Sequence, residues 1–288
     1  MQQATVGAFV ASGRTSEVFA YGIDSVVKVP RPGVPAEWSE QEARFTDAVR
    51  SRGVPAAQVR DIVDVGGRPS IVFERLDGVS MWQRMLDNPS DAPALARELA
   101  AIHLDIFRAG PPVGVPDLVH RMSSKVDIVA QLSEDERSEA IGMIRGLPRG
   151  ASLLHGDLHP GNVLMTSQGP VVIDWFDSAI GHPVADIVRS SLLMRANGRG
   201  VALPHMPGAT AAALAPMLGH YLDGFRGPLV HEAERLSRWE ATVAVSRMAE
   251  HAQADDTDLE ALWHSRAEPS ASSSLTNALA LSMSDAAS

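Results

Sequence analysis

The periodicity of the chain changes once, near residue 77, and that change restricts the fold more than any other feature. Before it, short β-type runs alternate with turn residues. Residues 5–30 read as TVGAFVA, EVFAYG and VVKVP around SGRTS and IDS, which predicts two or three antiparallel strands. Residues 36–51, AEWSEQEARFTDAVRS, place Trp38, Phe45 and Val49 at helical spacing, so one helix is predicted there. Two more strands, 59–65 and 70–75, flank the turn GGRP. After Asp77-Gly78, helical spacing takes over. Residues 91–109 put Leu95, Leu99, Ile102 and Ile106 on one face, with Asp91 as the expected N-cap. Further helices are predicted near 117–131, 134–145, 183–196, 211–226 and 231–253. Two short strands, 152–154 and 171–173, interrupt them as an expected hairpin. The expectation is an α+β chain with a β-rich lobe over 1–76, a helical lobe over 77–265 and a Ser/Ala-rich tail over 266–288, read as disordered. There are no internal repeats.

Around those two short strands the helical lobe carries two aspartates, two histidines and an asparagine close together: HGDLHPGN at 155–162, then VVIDW at 171–175. Asn162 follows Asp157 by five residues, and Asp174 follows Asn162 by twelve. Asp174 ends an apolar strand, so its carboxylate should emerge at the strand end. Mg²⁺ takes hard oxygen ligands and completes its shell with water and substrate phosphates, which suits a carboxylate and an amide oxygen. A second aspartate, off the metal, can orient or deprotonate an attacking hydroxyl. Turns favour Asp, Asn, Pro and Gly for backbone reasons alone, but the whole pattern asks more than a turn needs. The alternation of His155, Asp157 and His159 also fits a dinuclear metal hydrolase. That reading lacks an upstream Asp-x-His: the histidines before residue 150 are His103 and His120, and Val163 follows Asn162.

A phosphoryl-transfer site needs a cation on the nucleotide phosphates and a carboxylate to hold it. Lys28 sits among Val26, Val27 and Val29, unusual company for an exposed strand lysine. Glu42 lies fourteen residues on, in the first predicted helix, and could face the sheet. The loop Ser12-Gly13-Arg14-Thr15-Ser16 could cover phosphates with backbone amides and small hydroxyls.

Taken in order, SGRTSEVFAYGIDSVVKV, EQEARF, VFERLDG, LARELAAIH, LLHGDLHPGNVLM, VVIDW and GHPVADIVRSSLLM resemble the aminoglycoside phosphotransferase and choline-kinase-like family, over roughly residues 5–195. The resemblance implies a two-lobe protein-kinase-like α+β fold and transfer of the ATP γ-phosphoryl to a small-molecule hydroxyl. Asp157 would be catalytic, and Asn162 and Asp174 would hold Mg²⁺. Lys28 would bind the α/β-phosphates and pair with Glu42. Ser12, Gly13, Thr15 and Ser16 would form the phosphate loop, and Glu74 to Asp77, with Leu76, the hinge beside the base. Asp186 would support the catalytic loop. ATP is the expected nucleotide, with GTP left open. The glycine-rich loop is thin here. Eleven residues separate Asp174 from Asp186, too few for a long activation segment.

The acceptor is expected to be an aminoglycoside-like antibiotic, which would make the protein a resistance factor, or a metabolite such as an amino alcohol or sugar. Asp177 and Asp223 could add negative charge near a cationic amine, and Arg247 and Glu250 could line the acceptor cleft. A non-catalytic nucleotide-binding protein of the same fold is the alternative from another class, and the intact Lys28, Asp157, Asn162 and Asp174 argue against it. Trp38, Trp82 and Trp239 read as core or interlobe residues. A net charge of −10 disfavours nucleic acid as a partner. The absence of cysteine excludes disulfides and Cys-ligated zinc. The N-terminus has no signal-peptide pattern, and the apolar window 201–219 is broken by Pro204, His205 and Pro207. A cytoplasmic protein with no membrane partner is expected.

Overall fold

The computed structural model describes residues 5–197, 211–250, 256–267 and 275. The β-branched runs at the N-terminal end form β1 (Val6–Ser12), β2 (Ser16–Tyr21), β3 (Ser25–Pro30), β4 (Val59–Asp64) and β5 (Pro69–Glu74). They make one antiparallel sheet in the order β1-β2-β3-β5-β4. Alternation along β3 puts Val27 and Val29 on one face, packed with Val72, and Lys28 on the other. The helix α1 (Glu37–Arg50) follows β3 and buries Glu42, Ala43, Phe45 and Val49. Its inner face therefore carries a carboxylate among apolar groups, which needs a partner.

The rest is mainly helical. It comprises α2 (Met81–Asp87), α3 (Ala92–Arg108), α4 (Leu118–Asp127), α5 (Glu134–Arg145), α6 (Pro183–Asn197), α7 (Ala211–Asp223), α8 (Arg226–His231), α9 (Leu236–Arg247) and α10 (Asp256–His264). One continuous core joins them, with Leu99, Trp175, Tyr221, Trp239 and Trp263 fully buried. The two lobes expected from the change of periodicity are present. Asp117 caps α4 by accepting the Val119 and His120 N–H groups, and Ser133 and Glu136 make a reciprocal capping box at α5.

Several expectations need correction. Asp91 does not cap α3: it closes a 3₁₀ turn, Pro89–Asp91, in helical conformation, and its side chain makes no capping bond. The helix expected over 231–253 is broken before α9, where buried Glu232 turns inward to accept the Trp239 indole N–H at 3.2 Å. The strands 152–154 and 171–173 do not pair with each other. Instead β7 (Ser152–Leu154) pairs with β10 (Ala179–Gly181), while β6 (Gly78–Ser80), β8 (Val163–Thr166) and β9 (Gly169–Val172) make a second small sheet. The tight turn between Thr166 and Gly169 closes β8 onto β9 before β7 can reach either. Most of the tail expected to be disordered, and the window 201–210, lie outside the described residues. Within that tail, Leu275 is fully buried in the helical core and Arg266 pairs with Glu139. No helix among the described residues is long and apolar enough to cross a membrane.

Candidate active site

HGDLHPGN leaves β7 as a loop whose backbone is held by buried side chains. Asp186, at the start of α6, accepts the His155 N–H at 2.7 Å and the Gly156 N–H at 2.9 Å. It also pairs with His103 Nε2 of α3 at 2.9 Å, and His103 Nδ1 meets the Tyr221 hydroxyl at 2.8 Å. Burial alone would raise the Asp186 carboxyl. His103, His155 and the loop amides reverse that and hold it below the usual carboxylate range. Gly156 has φ +80°, and a Cβ there would lie 2.1 Å from the Asp177 carbonyl, so no other residue fits.

Both histidines of the loop are occupied by backbone. His155 Nδ1 accepts the Asp157 N–H at 3.1 Å, and its Nε2–H donates to the Ile173 carbonyl at 3.0 Å. One ring nitrogen accepts and the other donates, as in a neutral imidazole, and burial pushes His155 down in agreement. His159 Nδ1 accepts the Gly161 N–H. Among the described residues no three His, Asp or Glu side chains converge as a metal cage. The histidines thus shape the loop, and the hydrolase reading has no ligand set here.

Asn162 donates from Nδ2 to the Asp157 carbonyl at 3.0 Å, so its amide oxygen is the end left for a ligand. Asp174 follows β9 with φ 65°, the one described residue other than glycine in the left-handed region. This kink turns the carboxylate out of the strand toward the sheet. Lys28 donates to Glu42 Oε1 at 2.7 Å, Glu42 Oε2 at 2.9 Å and Asp174 Oδ1 at 3.0 Å. Burial disfavours the Lys28 ammonium, yet Asp174 and Glu42 outweigh it and hold it well above its ordinary value. Burial pushes Glu42 up to about 7 despite Lys28, since Asp174 crowds the same ammonium.

These groups open onto a cleft of about 650 Å³ between the sheet and the helical lobe. Gly13, Thr15, Ser16, Lys28, Glu42, Asp157 and Asp174 line it. Ser12, Glu74, Leu76 and Asn162 do not. The Ser12 hydroxyl accepts from Arg31, which also donates to the Gly13 carbonyl, so Ser12 anchors the loop from behind. Glu74 turns back to accept the Gln58 N–H at 2.8 Å, which spends its side chain on the β4 end of the sheet. Trp38 stacks on Phe176 across the cleft at 4.7 Å, while Trp82 and Trp239 are core.

Sequence reasoning missed the cations on the far wall. Arg189 of α6 reaches Asp157 Oδ1 at 3.0 Å, Asp177 Oδ2 at 3.6 Å and Glu250 Oε1 at 2.7 Å, and donates to the Gly156 carbonyl. Arg121 and Lys125 of α4 meet Asp177 at 3.0 and 2.9 Å. The signal was present as an arginine three residues after Asp186, one helical turn on, facing the same loop. Asp177 is thus surrounded by cations, and Asp223 pairs with Arg226 away from the cleft. The expected negative charge for a cationic amine is already neutralised.

A family model described as "Phosphotransferase enzyme family" matches residues 7–221. A choline/ethanolamine kinase family protein from Mesorhizobium loti is similar in structure, with TM-score 0.58 and 17% identity over 94% of this chain and 92% of that one. ADP-bound aminoglycoside phosphotransferase APH(2'')-Ib gives 0.55 and 15% over 92% and 95%. Choline kinase from Cryptosporidium parvum Iowa II gives 0.52 and 14% over 90% and 89%. At these identities the likeness is one of fold, the two-lobe protein-kinase-like α+β architecture. No curated protein sequence matches.

Proposed function

This chain belongs to the phosphotransferase enzyme family, and on that premise we propose that it transfers the γ-phosphoryl of ATP to a hydroxyl of a small molecule in the cleft between its lobes. The observation that carries the reading is the convergence of Lys28, Glu42 and Asp174 with Asp157 on one cleft wall. The lobes divide near residue 76, with 1–76 holding the nucleotide and 77–265 the catalytic loop and acceptor. The adenine lies toward the linker at Glu74–Asp77, and the phosphates lie under the loop at residues 12–16. Related structures contain ADP or GDP, which supports a nucleoside triphosphate as donor.

Lys28 holds the phosphates, and Glu42 fixes Lys28. Asp157 faces the acceptor hydroxyl, orients it and takes its proton as the acceptor oxygen bonds to phosphorus and the bond to the β-phosphate oxygen breaks. The Arg189 ion pair at 3.0 Å fixes the position of the Asp157 carboxylate, and the chemistry is mainly positioning and charge neutralisation. The donor set suits Mg²⁺: a carboxylate at Asp174, the amide oxygen of Asn162, and no all-protein cage among the described residues. Bound there, Mg²⁺ would neutralise charge on the phosphate oxygens. An aminoglycoside-like antibiotic and a metabolite are the two acceptor readings, and a resistance role follows only from the first. A cytoplasmic setting, where ATP is abundant, suits the reading.

Calorimetry tests it. ATP should bind the native protein with Mg²⁺ and far more weakly with excess chelator, and Lys28→Ala should lose that binding while keeping its fold. Equal affinity under all three conditions, or no ATP consumption with any hydroxylated acceptor, would refute it.

A further inference from the structure

The acceptor end of the cleft is built from α4 and from the segment after α9. Residues 120, 121, 124, 125 and 128 of the α4 region all line the cleft, and Glu250 faces them. Among the described residues, five cations stand around Asp157, Asp177 and Glu250. Lys125 bridges Asp177 and Glu250 at 2.9 Å each. Arg189 bridges all three carboxylates, Arg121 holds Asp177, and Arg247 lies 3.7 Å from Glu250. Arg14 crosses from the phosphate loop to Glu250 at 3.9 Å, its side chain half exposed. Asp177 and Glu250 are nearly buried, and burial would raise both. The surrounding cations instead hold Asp177 far below the usual range and bring Glu250 down to about 2.

A carboxylate with several cations against it has no capacity left for an ammonium group. An entering polycation would have to break these pairs and would still meet excess positive charge. An oxyanion would meet the reverse. Building on the phosphotransferase reading, we propose that the acceptor carries a carboxylate or phosphate beside its hydroxyls, seated against Arg121, Lys125 and Arg14, and that polycationic acceptors are excluded. Among these residues, Lys125 and Arg14 set specificity. Lys125 spans both carboxylates, and Arg14 reaches Glu250 from the phosphate loop with its side chain half exposed.

The test is calorimetric titration of the full chain, saturated with MgADP, by four probes: gluconate, glucose 6-phosphate, glucose and kanamycin. An anionic probe should bind more tightly than glucose, and kanamycin should give no binding. Gluconate against glucose 6-phosphate separates carboxylate from phosphate. Lys125→Met and Arg14→Glu should each weaken the anionic probe at least about tenfold relative to native. Arg14 lies on an exposed loop, so its variant keeps the test alive if Lys125→Met does not fold. Kanamycin binding as tight as either anion overturns the proposal, as do anions that bind no better than glucose. So does Lys125→Met weakening MgADP as much as the anion, which would assign that cation to the nucleotide. MgADP affinity, read in the same experiment, reports separately on the phosphotransferase reading. If MgADP fails to bind at all, both fall together.

Discussion

Asp186 touches no substrate in the proposed reaction, yet its replacement by asparagine should be among the most damaging changes to the fold around the site. The side chain is 2% exposed and accepts from the His155 N–H, the Gly156 N–H and His103. In Asp186→Asn the amide oxygen best takes the Oδ2 position, where it keeps two of the three bonds. The amide NH₂ then faces the Gly156 N–H, donor against donor. That lost charge-assisted bond costs about 1.5–3 kcal/mol. The two survivors fall from charge-assisted to neutral, about 0.5–1.5 kcal/mol each. The expected loss is about 2.5–6 kcal/mol, measured by urea denaturation at neutral pH.

The same carboxyl adds a pH signature. Its folded-state value lies below its ordinary 3.8, so its contribution is complete above that value and is lost as pH falls through the folded one. The gap between native protein and variant should therefore be widest above about pH 5 and narrow below pH 4. A loss under about 1 kcal/mol, or a gap constant down to pH 3, would refute the account of Asp186 as the loop's anchor.

Asp157→Asn should cut turnover by about 10²–10⁴ with MgATP affinity kept, while Asp174→Asn should weaken MgATP binding as well. Calorimetry and a coupled ADP assay separate the two, and equal losses of affinity would make Asp157 a metal ligand. Leu275→Ala should destabilise by about 2–5 kcal/mol in thermal or urea unfolding, because the side chain is fully buried in the helical core. An unchanged midpoint would detach Leu275 from that core. Glu250 is held at about 2 against an ordinary 4.5, so its contribution is complete above 4.5 and disappears between there and about 2. Glu250→Gln should flatten the acid limb of stability followed by circular dichroism, and an unchanged limb would contradict the ion-pair assignment.

The pieces of the site that were legible in sequence share one property: local pattern. Lys28 stood out as a charge in a valine run, and α1 placed Glu42 on its inner face by helical spacing, so their 2.7 Å pair was foreseeable. Asp174 ended an apolar strand, and Asp186 was correctly expected behind the loop. The pieces that were missed are set by tertiary packing. Arg189 reaches across to Glu250, 61 positions later in sequence, and no window of local sequence contains both. The same holds for the pairing of β7 with β10, which local alternation cannot distinguish from pairing with β9. The side-chain partners of Ser12 and Glu74 were not legible, because a small hydroxyl or a carboxylate near a cleft has equally good arginine and backbone partners behind it.

Lys28 and Asp174 lie 146 positions apart, and their contact joins the two lobes. Neither lobe, folded alone, contains it. Long-range closures of this kind form late and are the first to be lost when a chain unfolds in stages. A half-folded molecule, emerging from synthesis or damaged by heat, therefore has a sheet without Asp174 or a helical lobe without Lys28. On the proposed mechanism, such a molecule would turn over no nucleotide. Turnover per molecule becomes a census of the fully folded population, and loss of activity on heating should report the parting of the lobes before either lobe melts.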